Sequence, residues 1–189
     1  MGGADEGRGV RRKRGVSDEY FEAAKRYRPK DHTRVLFVAE APPNSIDRYF
    51  YFEEVKRDDW LWIALMKCLY PARWSTAQQE RRNKKEWLSR FQMDGFQVID
   101  SLKTPVSGTQ AQRALAIRLN ADQLVVEIRS INPTKIVLIK NTVYRALFDL
   151  LRNGGFPVVN KGAISFPSSG RQAEFHDAAV MLNLEKLAS

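Results

Sequence analysis

Cys68 is the only cysteine in 189 residues, which excludes an intrachain disulfide and any zinc or iron–sulfur centre built on several thiolates. Within LWIALMKCLY it reads as a small buried hydrophobe. Histidine is nearly as scarce: His32 precedes the first strand and His176 lies inside the last helix, so neither stands at a strand exit. The chain has no glycine-rich phosphate loop and no GxSxG elbow, which removes nucleotide-triphosphate, dinucleotide and nucleophilic-elbow hydrolase chemistries. No apolar run approaches the roughly 20 residues that span a bilayer. The basic N-terminus carries no apolar core, so it is not a secretory signal and a cytoplasmic location is expected. No internal repeat is present. The groups left for chemistry are carboxylates, hydroxyls, aromatic rings, lysine and arginine, and neither a metal nor another cofactor is expected.

What is there fits one compact domain: 43% hydrophobic and 28% charged residues. The net charge is +9 with a sequence pI near 9.8, which makes a polyanion a plausible partner and a monomer the expected state. Residues 1–16 are rich in glycine and arginine, have no hydrophobic periodicity and form an expected disordered basic tail, either a solvated end or an accessory nucleic-acid arm. Residues 17–189 make the domain.

The organising stretch is RVLFVAEAPPNSIDRYFYF, residues 34–52. Its unbroken apolar run from Val35 to Ala39 suits a strand buried on both faces of a parallel sheet. Glu40 follows, and then Pro42 and Pro43, which cannot extend a central strand. A buried strand thus delivers a carboxylate to the sheet edge where open α/β folds bind ligands. Tyr49, Phe50, Tyr51 and Phe52 come next and offer at least one stacking surface.

Before this stretch, Ser17 with Asp18 and Glu19 opens a short helix ending ahead of Pro29. After it, a helix runs from about Asp58 to Leu69, with Trp60 and Trp62 assigned to the core. Ser75 or Thr76 caps a further helix whose Arg81, Arg82, Lys84 and Lys85 form a basic face, either a phosphate track or an ordinary solvated surface. FQVI, residues 96–99, is a second strand that exits into Asp100 and Lys103. Two helices follow between Thr109 and Ser130, broken near Asn120 to Asp122. KIVLI, residues 135–139, is a third strand and exits into Lys140 and Asn141, with a helix ending at Gly154. A fourth strand is expected between Pro157 and Ser165, exiting through Phe166, Ser168, Ser169 and Arg171 into a last helix. The expected fold is α/β: a three-layer α/β/α sandwich around a central, mainly parallel four-stranded sheet, with right-handed crossovers. Its four strand exits can meet at one site.

The order of these motifs resembles the uracil-DNA glycosylase superfamily. VLFVAEAPP is similar to the motif in which a first strand ends in GEAPG, and FPSSGR is similar to the later HPS or NPS motif. VIDSLKTPV looks like the second-strand segment that carries an asparagine in those enzymes. The resemblance covers most of Thr33 to Leu187 and implies DNA as partner and cleavage of the N-glycosidic bond of a flipped base, uracil or another deaminated one. It places Glu40 as the water-holding carboxylate and Asp100 at the edge-reading position. Ala41, Tyr49, Phe50, Tyr51 and Phe166 would surround the base, and Pro42, Pro43, Lys103, Lys140, Ser168, Ser169 and Arg171 would contact DNA.

Two departures bear on the chemistry. Phe166 stands where the family has histidine or asparagine and cannot donate a hydrogen bond to a departing base, a function worth about 2.7–4 kcal/mol. Lys140 or Asn141 is the candidate replacement, or the pair simply begins a helix. Asp100 in place of asparagine repels a uracil carbonyl when ionised and accepts from amino groups. The alternatives to a glycosylase are a nucleic-acid-binding protein without catalysis and an enzyme acting on a small nucleoside-like ligand.

Overall fold

The computed structural model describes residues 16–168, 170–184 and 186, so the expected basic tail lies almost wholly outside the described residues, as does Ser169. The order of elements is α1 (Val16–Arg26), β1 (Val35–Ala39), α2 (Trp60–Leu69), α3 (Ala77–Arg82), α4 (Lys84–Met93), β2 (Phe96–Asp100), α5 (Gln110–Leu119), α6 (Ala121–Ile131), β3 (Lys135–Leu138), α7 (Asn141–Asn153) and α8 (Gln172–Met181). The fold is α/β, and its named strands form one parallel sheet in the order β2-β1-β3.

Strand β1 is central and buried at all five positions, as a run without polar alternation requires. Its side chains divide by parity. Val35, Phe37 and Ala39 join a cluster with Tyr20 of α1, Trp62 and Leu65 of α2, Leu88 and Phe91 of α4, and Phe175 of α8. Leu36 and Val38 enter a second cluster with Ile117 of α5, Leu124 and Ile128 of α6, and Val143, Leu147 and Leu151 of α7. The sheet therefore separates two hydrophobic clusters, each covered by helices.

The expected fourth strand is reduced to a single bridge, Ile136 with Val158. Ile136 donates to the Pro157 carbonyl and accepts from Val159, but the chain then loops out. Over the gap the Asn160 carboxamide takes the place of a strand: its Oδ1 accepts from the Leu138 N–H at 2.7 Å, and its Nδ2 donates to the Leu138 carbonyl at 3.0 Å. Backbone pairing resumes where Lys140 N–H donates to the Ile164 carbonyl. Proline at 157 brings no donor of its own, and a side-chain amide satisfies the β3 edge without a fourth ladder.

The other free edge is closed by a side chain as well. Tyr51, 2% exposed, accepts from the Val98 N–H at 2.6 Å and donates to the Val98 carbonyl at 3.1 Å. Its ring belongs to the core, so the expected base-facing role of Tyr51 gives way to capping an edge strand.

The helix expected after Thr76 is capped as read, with Thr76 Oγ1 accepting from Gln79 N–H, but it breaks at Asn83 into α3 and α4. The break turns Lys84 inward. Lys84 is fully buried, so the basic face does not include it. Helices α5 and α6 meet at Asn120, where a break was expected. Among the described residues no helix is long and apolar enough to cross a membrane. None of their His, Cys, Asp and Glu side chains cluster as a group of three or more that could hold a metal.

Candidate functional site

The register of the sheet builds the site. Ala39 lies opposite Asp100, and the pairing continues past the strand ends: Ser101 N–H donates to the Ala39 carbonyl, Leu102 N–H to the Glu40 carbonyl and Ile139 N–H to the Val38 carbonyl. Glu40, leaving the central strand, is thereby flanked by the exits of β2 and β3. Tyr20 of α1 donates to the Pro43 carbonyl at 2.6 Å and fixes the proline loop.

A cavity of about 430 Å³ opens at this edge, a size within the range of small-ligand sites. Of the residues expected there, Glu40, Ala41, Pro42, Pro43, Tyr49, Phe50, Asp100, Lys140 and Phe166 all line it. Tyr51 and Asn141 do not; Asn141 is the first residue of α7. Lys103 turns to a neighbouring cavity of about 350 Å³, donating to the Asp100 carbonyl at 2.9 Å and pairing with Glu127. Pro42, Tyr49, Val98 and Asp100 form the wall shared by the two cavities. Ser168 and Arg171 lie in a turn, the Arg171 N–H donating to the Ser168 carbonyl, and the Arg171 side chain is exposed beside Glu174. Neither lines the cavity.

Glu40 is buried and its charge is matched. Lys140 Nζ lies 2.6 Å from Oε1, Arg113 Nε 3.4 Å from the same oxygen, and Thr142 Oγ1 donates to Oε2. Thr142 sits in the first turn of α7, so the carboxylate also lies at the positive end of that helix. No side chain of the N-cap residue serves there. The pairing lysine stands 100 residues away in the chain.

Lys140 holds its place at a cost. Its φ of 87° with ψ of 139° is a region that suits glycine and costs a side-chain-bearing residue about 1–3 kcal/mol. The backbone is fixed by the bond to Ile164, and Nζ lies 5.7 Å from the Phe166 ring centroid. Strain of this kind places the amine between Glu40 and an aromatic wall.

Asp100 is half-buried, and removal of its carboxyl from water pushes its pKa up to about 7. Lys103 and a hydrogen bond from the Tyr49 hydroxyl oppose the rise without cancelling it, and Glu127 adds to it. The Tyr49 hydroxyl is driven well above its ordinary value, chiefly by burial and then by Asp100, so it stays a donor. The cavity thus contains a carboxyl that exists in both forms near neutral pH beside the Glu40 side chain with its two cationic neighbours.

No family model matches this chain. Nor does any curated protein or solved structure.

The sequence reading missed the second side of the cavity. Arg48, Asp58, Asp59, Trp60, Trp62, Val106 and Arg113 also line it. Behind this wall Asp59 accepts from Arg81 at 2.7 and 2.9 Å and from Lys84 at 3.3 Å. Lys84 Nζ also reaches the Tyr49 carbonyl at 3.4 Å and lies 4.9 Å from the Trp62 ring centroid. This buried pair ties α4 to the loop bearing Tyr49 and to the start of α2. Burial pushes the Lys84 pKa down to about 8 against the opposing pull of Asp59. The available signal was the break at Asn83, since one added residue rotates a helix face by about 100°.

Proposed function

We propose that this protein hydrolyses the N-glycosidic bond of a base flipped out of DNA, as a divergent member of the uracil-DNA glycosylase-like superfamily. In this reading the two clusters on either side of the sheet are the outer halves of an α/β/α sandwich whose fourth strand has shrunk to a bridge. The carrying observation is that Glu40, Asp100 and Lys140, delivered by three adjacent strand ends, share one cavity with Tyr49, Phe50 and Phe166.

The roles follow from the environments. The rings of Phe50 and Phe166 supply the apolar walls for a planar base. Asp100 reads the base edge, as an acceptor when ionised and a donor when neutral. Oε2 of Glu40 has Thr142 as its one protein partner and keeps a lone pair with which to hold the attacking water. Lys140 supplies the positive charge that Phe166 cannot, stabilising the departing base and giving it a proton. Pro43 and the exposed Arg48 face the DNA strand, with the buried Pro42 behind them. Deaminated bases remain the substrate class, with uracil disfavoured by an ionised Asp100.

A second reading is favoured by one observation: Glu40 is already bound by Lys140, Arg113 and Thr142, an arrangement that also suits a purely structural cap on α7. The protein would then bind nucleic acid without catalysis. The test is base release from single- and double-stranded oligonucleotides carrying uracil, hypoxanthine or xanthine, comparing the native chain with Glu40→Ala. Release that falls with Glu40→Ala supports the glycosylase. Salt-sensitive binding without release supports the binding protein, and the loss of both would move the substrate to a free nucleoside.

A further inference from the structure

Lys140 is the lysine of the cavity: among the described residues lining it, no other has a primary amine. Its position is unusual in two ways that a simple counter-charge for Glu40 does not need. The backbone is held at φ 87°, where glycine would be unstrained, and a partner for Glu40 exists already in Arg113, 3.4 Å away. The amine also has a proton acceptor in contact, Glu40 Oε1 at 2.6 Å, whose other oxygen is steadied by Thr142. A primary amine beside a carboxylate, at the mouth of a cavity lined by rings, is the equipment of carbonyl condensation.

Resting on the glycosylase reading, we infer that Lys140 is a nucleophile toward the abasic sugar, so that the same site cleaves the DNA strand by β-elimination after the base has left. The ammonium passes one proton to the departing base, which leaves the neutral amine beside Glu40. The proton that the attacking water left on Glu40 goes to the carbonyl oxygen of the ring-opened aldehyde as the nitrogen lone pair adds to C1′, and the nitrogen, now cationic, gives one of its own protons back to Glu40. Glu40 returns that proton to the C1′ hydroxyl, which departs as water, leaving an iminium with Lys140. The Glu40 carboxylate then takes a proton from C2′. The C2′–H electrons form the new double bond and the C3′–O bond breaks, the phosphate leaving with its electron pair. Water hydrolyses the iminium, freeing the lysine and an unsaturated aldehyde. No oxidant, reductant or metal is consumed.

The experiment uses the full-length chain and an oligonucleotide with a preformed abasic site, so that it does not require base release. Sodium borohydride is added to reduce the iminium to a stable amine, and the adduct is mapped by peptide mass. The expected result is a covalent adduct on Lys140, at least tenfold reduced in Lys140→Gly, which relieves the backbone strain. Lys140→Arg keeps a cation but has no condensing amine, and is expected to lose the adduct equally. An adduct of undiminished yield in both variants would overturn the inference. So would the absence of any adduct from a preparation that releases bases, and the glycosylase reading would then stand alone. An adduct on Lys140 without base release from any substrate would uphold the amine chemistry and sink the glycosylase.

Discussion

The carboxyl of Asp100 gives the most direct test of how this site is built, and it does not depend on knowing the substrate. Burial moves its pKa from 3.8 to about 7. Between those values the folded chain holds a proton that the unfolded chain has released, so stability falls as pH rises from about 4 to about 7. Above 7 the half-buried carboxylate carries the whole penalty, at most about 4 kcal/mol at about 1.36 kcal/mol per pH unit. Asparagine cannot ionise and still accepts the hydrogen bond from Tyr49. Asp100→Asn is therefore expected to match the native protein near pH 4 and to exceed its stability by up to about 4 kcal/mol at pH 8. Denaturant unfolding of both chains at half-unit steps from pH 4 to 8 measures the difference, since every other titrating group is common to the two. Parallel stability curves would show that Asp100 is well hydrated and would refute the raised pKa, and with it the proposed role of Asp100 at a base edge. On the proposed glycosylase reading, base release is expected to change over the same range with an inflection near pH 7 that Asp100→Asn abolishes.

The buried pair behind the cavity gives a second expectation: Asp59→Asn leaves the cation of Lys84 without a counter-charge and should cost about 3–5 kcal/mol in urea unfolding. Because the folded Lys84 pKa is depressed, the unfolded chain binds more protons between about pH 8 and 10.5, so native stability should rise over that window, and Lys84→Met should remove the rise. Asn160→Ala should lower stability by about 1–3 kcal/mol by leaving both polar groups of Leu138 unpaired at the β3 edge, with protection of the Leu138 amide from hydrogen exchange as the local readout. Lys140→Gly recovers about 1–3 kcal/mol of backbone strain and loses one of two cations at Glu40, so its thermal midpoint should stay within a few degrees of the native value.

The sequence by itself determined the parts whose cause is local. The apolar run of β1, Thr76 as a cap, the break at Asn120 and the proline exit after Glu40 are all dictated by neighbours within a few residues, and all are where the residue pattern puts them. The meeting of Glu40, Asp100 and Lys140 was also legible, because parallel strands that follow one another through helices must present their exits at the same edge. Tertiary structure alone decided what those residues became. Arg113 and Thr142 reach Glu40 from distant helices, and nothing near residue 40 announces them. Tyr51 stood among four rings of equal promise, and only the open edge of β2 turned it into a backbone cap. The fourth strand gave way to the Asn160 amide, and Lys84 left the solvent because a single residue at Asn83 changed the face of its helix. Local pattern fixes which backbone forms, whereas the charge state and partners of a side chain depend on the low-dielectric space that the folded chain closes around it.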